Sequence, residues 1–327
     1  MTRTRAGHRG ASRSRRPATR RPGFGRAVGG ALLAACLAAG IVPVARAAGI
    51  AVIKSRDLDP YNRAVAGFRA ALPSGWIQYD LGADDSNVEF VRQALQRQAP
   101  EVLVAVGPRA ARLAHQAAPR APLVCALVDH GERLGLDAPG VCWLPSQVDC
   151  AALARVARLL VPSGGRLGMV TSEATDQGFR TAMAQAAARH NLEAVIVEPR
   201  AGTALAEQFR VAVARADVLW FGSDPATASP AVFEFARRTC ADKKVPMLVF
   251  SESLMRPGVL AAVGLDAQAV GRLAARLARQ AMDGRAVSGE QPVEQAAITI
   301  ALSLRVASEL ALELPKSTLA QVHKVVP

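Results

Sequence analysis

Residues Pro246–Gly284 read PMLVFSESLMRPGVLAAVGLDAQAVGRLAARLARQAMDG. An apolar run, Met247 to Phe250, stops at the polar pair Ser251 and Glu252, and a second run, Val259 to Val263, leads through Gly264 and Asp266 into a helical pattern. In that helix Val270, Leu273, Ala274, Leu277 and Ala281 share one face, and Arg272, Arg276 and Arg279 lie outside it. Asp266 suits the start of the helix and Gly284 its end. The order is strand, polar loop, strand, helix, and it marks a place where the chain leaves one α/β lobe for another.

Working outward, 327 residues are enough for about two domains. Half the chain is hydrophobic, so two cores are feasible. The formal charge of +13 points to nucleic acid only until it is located: residues 1–47 hold ten arginines and no acid. Taking those ten from the 40 Lys and Arg leaves 30 basic groups against 27 acidic ones, so the body is nearly neutral. The basic segment precedes an apolar run from Ala27 to Val44 and the triplet Ala45, Arg46, Ala47, the pattern of a secretory signal peptide cut after Ala47. The run is shorter than the roughly 20 apolar residues of a membrane span. Leu33, Ala34, Ala35 and Cys36 offer a second processing route, with Cys36 as a lipid-modified N-terminus.

Four cysteines then remain: Cys125, Cys142, Cys150 and Cys240. In an oxidising compartment Cys142 and Cys150 are candidates for a disulfide, and free buried thiols are the equal alternative. No CxxC, HExxH or Cys/His cluster supports a zinc site.

The body alternates strand and helix. Strands are expected at Ile50–Lys54, Trp76–Asp80, Val102–Val106 and Leu123–Val128, the first three each followed by a helical pattern. Asp59 is expected as N-cap and Pro60 in the first turn of a helix reaching Leu72, and Ser86 with Glu89 form a capping box for the second. Continuous apolar strands separated by helices belong to a parallel sheet covered on both faces. From Asp129 to Gln147 the pattern lapses, which marks a first crossover. It resumes with strands at Leu167–Thr171, Ala194–Val197, Val218–Phe221 and Met247 onward, and helices at 149–160, 175–190, 205–214 and 230–239. Trp220 reads as a core residue. After Gly284 a strand at Ala297–Ala301 and a helix at Leu302–Leu312 make a third crossing. The fold class is α/β, two doubly wound Rossmann-like lobes joined by a hinge of several crossings. The first lobe is 48–142 plus about 258–286, and the second is 143–257 plus about 287–327.

With those elements in place, the chain resembles the periplasmic substrate-binding proteins of ABC transporters, in the group with a type I periplasmic-binding fold that includes aromatic amino acid binders. Three stretches carry the likeness: Ser55–Leu72 (SRDLDPYNRAVAGFRAAL), Ser251–Gly284, and Ile298–Val326 (ITIALSLRVASELALELPKSTLAQVHKVV). It departs where Pro108 and Arg109 follow Gly107 in place of a hydroxyl residue, and where the connection after Asp129 is read as short and without a helical turn. The resemblance implies a periplasmic monomer that holds a small solute between its lobes and docks on an ABC permease in the inner membrane, with no cofactor and no turnover. A sensory module, the same clamp reporting to a membrane receptor or kinase, is the alternative.

Ligands of open α/β sheets lie outside the carboxyl ends of the strands. In the first lobe those ends bring Ser55, Arg56, Gly107, Arg109 and Asp129, with Tyr61 in the first turn of a helix at the cleft mouth. In the second they bring Thr171, Ser172, Ser223, Asp224, Ser251 and Glu252. Hydroxyls and helix N-terminal amides suit carboxylate or other polar groups, and Arg56 or Arg109 suits an anion. The scarcity of Trp and Tyr weighs against a large carbohydrate. No GxSxG elbow, P-loop or GxGxxG after a strand is present, and the place of a DNA-binding headpiece is taken by the export signal.

Overall fold

The computed structural model describes residues 49–161, 164–172, 177–198, 204–224, 227 and 229–326. The signal peptide and the lipid-modification route through Cys36 lie outside the described residues.

The chain opens with β1 (Ile50–Lys54), α1 (Asp59–Ala71), β2 (Trp76–Asp80), α2 (Val88–Gln98), β3 (Val102–Val106), α3 (Pro108–Ala117) and β4 (Leu123–Ala126). Residues of β1 are buried throughout, and they pair in parallel with β2 on one side and β3 on the other. Alternate side chains go to opposite faces: Ile50 and Val52 pack with α1, while Ala51 and Ile53 pack with Val91 and Leu95 of α2 and with Leu113 of α3. A continuous apolar strand is stable only when both faces are covered, and here both are.

Beyond β4 the structure differs from the sequence reading. A 3-10 turn at Gly131–Leu134 fills the connection that was expected to lack one, and β5 (Val141–Leu144) adds a strand to the first sheet inside the supposed lapse. Four residues between Gly140 and Pro145 are too few to show a period.

The second sheet is built from α4 (Cys150–Leu160), β6 (Arg166–Val170), α5 (Gln177–Arg189), β7 (Glu193–Val197), α6 (Leu205–Arg215), β8 (Val218–Phe221), α7 (Pro230–Lys243), β9 (Met247–Val249) and β10 (Ala261–Leu265). Then α8 (Ala267–Met282) packs against α1, and β11 (Gly289–Glu290) pairs with β5. The chain ends with β12 (Ile298–Ser303), α9 (Leu304–Glu309), α10 (Lys316–Leu319) and β13 (Lys324–Val326). The six-stranded sheet has the order β11-β5-β4-β3-β1-β2 and the seven-stranded sheet β13-β12-β10-β9-β8-β6-β7. Among the described residues all strand pairs are parallel except β10 with β12.

Three crossings join the sheets, and their positions correct the expected lobe boundaries. β10 was given to the first lobe; it lies in the second sheet, held in parallel by β9 and antiparallel by β12, so the passage falls at Leu265–Asp266. β5 and β11, given in part to the second lobe, close the edge of the first sheet.

The expected caps are also revised. Ser86 and Glu89 make no capping box: α2 begins at Val88 after Asn87, whose side chain makes no cap hydrogen bond. Asp59 is the first residue of α1 rather than its cap. Asp149 and Asp266 do cap, accepting from Ala152 N at 2.6 Å and Gln268 N at 3.0 Å. The helix expected at Leu302–Leu312 is shorter, the six residues of α9. Cys142 and Cys150 are not bonded; all four described cysteines are free.

Two glycines let α1 and α8 touch through their backbones. A Cβ on Gly67 would lie 1.9 Å from Gln268 O, and one on Gly271 would lie 1.9 Å from Ala64 O. Any larger residue at either position would force the helices apart.

Candidate functional site

A cavity of about 520 Å³ opens where the carboxyl ends of β6 and β8 face the segment after β4. Its floor is apolar. Met169 of β6 and Trp220 of β8 are register partners in adjacent strands, and Leu153 of α4 and Phe179 of α5 close the sides. Its polar groups come from three directions: Asp129, His130 and Arg133 from the first lobe, Ser146 and Gln147 from the first crossing, and Thr171, Ser223 and Asp224 from the second-lobe strand ends. A mostly apolar concavity with a few convergent polar groups is the usual form of a small-molecule site, and the volume lies within the usual range.

The loops that carry the second-lobe side chains are held by hydrogen bonds from their backbone N–H groups. Thr171 N–H donates to Val197 O at 3.1 Å, and Ser172 N–H donates to Asp224 Oδ2 at 3.2 Å. Thr227 N–H reaches Asp224 O at 3.0 Å. On the opposite side Asp129 accepts from Ser146 N at 2.8 Å and from the Ser146 hydroxyl and the Gln147 amide.

Of the twelve residues singled out by sequence, the cavity gathers Asp129, Thr171, Ser223 and Asp224; Ser172, next to Thr171, is buried and does not line it. The others stand elsewhere. Ser55 is 1% exposed, and its hydroxyl accepts from Ala110 N at 2.9 Å, capping α3 from a neighbouring strand. Arg109 reaches back to Ser55 O and Gly82 O, both at 3.4 Å, and pairs with Asp85. Gly107 sits at φ +87°, and a Cβ there would meet the Ser55 hydroxyl and the Tyr61 ring, each at 2.7 Å. Tyr61 is half-buried against it; burial raises its phenol above the usual range, with Asp129 adding to the rise and Arg56 and Arg109 opposing it. Arg56 is exposed and makes no hydrogen bond or ion pair among the described residues. Ser251 accepts from Ser253 N at 3.3 Å, and Glu252 pairs with Lys324 at 2.7 Å, both away from the cavity wall.

Sequence reasoning missed the floor. Leu153, Met169 and Phe179 look like any core residue until the strand register is known, and Trp220, expected only to pack, both packs and forms the wall. Ser146 and Gln147 did carry a signal, the polar break after Pro145.

The Cys150 thiol on the wall is pushed up to about 11, first by burial and then by the Asp149 charge, so it stays protonated at neutral pH. His130 has its Nδ1 3.4 Å from Glu132, and the Ser146 hydroxyl donates to Asp129 rather than to a base. Among the described residues no group of three His, Cys, Asp or Glu is placed to hold a metal ion.

The family model described as "ABC transporter substrate binding protein" matches residues 77–326. No curated protein sequence matches the chain. Among solved structures, the ligand-free, open form of CD0873, a substrate-binding protein with adhesive properties from Clostridium difficile, is similar with a TM-score of 0.68 at 15% identity, covering 85% of this chain and 98% of that one. A conserved domain protein from Vibrio cholerae is similar at 0.58 and 16% identity, covering 86% of this chain and 100% of that one. The ABC domain in complex with L-Trp from Streptococcus pneumonia is similar at 0.54 and 17% identity, covering 85% and 100%. At such identities the likeness is one of fold, and the fold it shares is the type I periplasmic-binding fold of two α/β lobes.

Proposed function

This chain belongs to the ABC transporter substrate binding protein family, and we propose that it captures a small polar solute between its two lobes and delivers it to an ABC-type permease of the inner membrane. One observation carries the reading: a single cavity has its floor in the second lobe and part of its polar rim in the first, at the side where the chain crosses between them. A solute seated on Met169, Phe179 and Trp220 would be reached by Asp129 and His130 from across the cleft, and rotation about the crossings would enclose it. The apolar floor gives the solute an apolar portion to bury, and the hydroxyls and carboxylates of the rim fix its polar end. The protein of this reading works in the periplasm, released from or tethered by its leader. Among the described residues no helix is long and apolar enough to cross a membrane.

The test is a panel of amino acids, peptides, nucleosides, oxyanions and small acids, read by thermal unfolding and by small-angle X-ray scattering. At a hundredfold excess over Kd a binder adds about 2.7 kcal/mol, which for a chain of this size raises Tm by roughly 5 °C. The expected result is one chemical class that raises Tm and lowers the radius of gyration together. If no member does either, and native mass spectrometry of freshly purified protein shows no retained solute, the reading fails.

A further inference from the structure

The three passages between the lobes are not equally free. At the first, Asp129 stands just beyond β4, and its neighbour Val128 donates to Leu144 O at 3.0 Å, so the backbone that carries this carboxylate is tied to the first sheet. That carboxylate takes Ser146 N–H at 2.8 Å, the Ser146 hydroxyl, and the Gln147 amide at 3.3 Å. Two residues on, Asp149 is already fixed in the second lobe as the cap of α4. Val148 alone separates the two anchors. On the other side of the hinge the second and third passages are joined by Asp266 N–H donating to Ala297 O at 2.7 Å, and the Asp266 carboxylate is fastened to α1 through Arg63 at 2.9 Å. On each side, an aspartate fixed to the first lobe secures the crossing chain.

We propose that Asp129 is the hinge-positioning residue of this clamp: it pins Ser146 and Gln147 to the first lobe and confines rotation at the first crossing to Val148. The same carboxylate forms part of the cavity wall. A solute that donates a hydrogen bond to it competes with Ser146 and Gln147, and this couples occupancy of the cavity to the freedom of the hinge. The use made of the rotation rests on the reading of the protein as a solute clamp; the pin itself does not.

The experiment is done on the mature protein without solute, by amide hydrogen exchange at residue 146 and by small-angle X-ray scattering. Loss of a hydrogen bond to a charged acceptor raises local opening by about tenfold to a hundredfold. Asp129→Ala is therefore expected to exchange at residue 146 faster by that factor and to broaden the distribution of inter-lobe distances. Asp129→Asn, which keeps an acceptor for Ser146 N–H, is expected to stay within about threefold of the parent, since one neutral bond replaces a charge-assisted one. Ser146→Ala loses the hydroxyl bond alone and is expected to fall between, and it keeps the test open if Asp129→Ala does not fold. Unchanged protection at residue 146 in Asp129→Ala, or in Ser146→Ala where the alanine variant fails to fold, overturns the proposal; so does an Asn variant as fast as the Ala variant. A protein that binds nothing in the solute panel and still loses protection in Asp129→Ala would sink the clamp and leave the pin standing.

Discussion

The two lobes present similar residue types at their strand ends and use them differently. In the first lobe Ser55, Gly107 and Arg109 are consumed by the lobe itself: a hydroxyl caps α3, a glycine makes room for that hydroxyl and for Tyr61, and a guanidinium stitches the loops after β1 and β2. In the second lobe Thr171 is tied through its N–H to Val197 O and the Asp224 carboxylate takes Ser172 N–H, yet both, with Ser223, still line the cavity wall. A polar residue after a parallel strand has a helix N-terminus beside it in either case. Whether it caps or binds depends on which donor lies within about 3 Å, a distance set by packing on the far side of the sheet.

Substitutions at the two sets of tips should therefore separate stability from binding. The largest effect is expected at Gly107→Ala. The φ of +87° with ψ of 163° is a conformation almost confined to glycine, and the added carbon would meet Ser55 and Tyr61. Strain of this kind costs about 3 kcal/mol, read as a lower denaturant midpoint, with the contacts adding to it. A midpoint equal to that of the parent would mean that the first-lobe tip is not rigid and would erase the contrast. Ser55→Ala comes next. It leaves the Ala110 N–H buried without its acceptor, at about 2 kcal/mol, and solute affinity should follow only as far as folding does.

At the second-lobe tips the order reverses. Ser223→Ala removes a hydroxyl from a half-exposed position and should change the unfolding free energy by less than about 0.5 kcal/mol. For whichever solute raises the Tm of the parent, it should raise Kd about tenfold, the worth of one polar contact. Isothermal titration separates the two effects. An Ser223→Ala variant with parental Kd, beside a Ser55→Ala variant that has lost binding while folded, would move the site to the first lobe.

Much of the architecture could be read from the chain because its cause is local. Ile50–Lys54, Val102–Val106 and Val218–Phe221 are continuous apolar runs of strand length, and each of them is a buried parallel strand. What escaped has its cause in distant residues. β5 is four residues long and is a strand because β4 and β11 flank it; β10 belongs to the second sheet because of pairing with β12, some 35 residues away. The cavity floor escaped for the same reason: Met169 and Trp220 become neighbours only through the β6–β8 register.

The smallest expected effect is a pH dependence of one second-lobe loop that the Ser55–Ala110 tie of the first lobe should not share. In the second lobe Glu234 accepts from Arg237 at 2.7 and 2.9 Å and from Arg238 at 2.8 Å, and Arg237 also donates to Pro257 O, holding the loop between β9 and β10. Those bonds, Arg237 first, lower the Glu234 carboxyl from 4.5 to about 2. A carboxyl depressed on folding contributes stability that is present above its unfolded value and is lost as pH falls through its folded one, so the window runs from 4.5 down to about 2. Glu234 is open to solvent, which screens the pair, and the effect is confined to the loop it anchors. The corresponding tie at the first-lobe tip, Ser55 to Ala110 N–H, has no proton to gain in that range. Amide exchange of Val259, whose N–H donates to Arg256 O at 3.0 Å, should lose protection across the window while Ala110 does not. Glu234→Gln keeps the acceptor and cannot titrate, so Val259 should then track Ala110. If the two amides part company in the Gln variant as they do in the parent, the loop is held by something other than this carboxylate, and the two lobes differ at their strand ends alone.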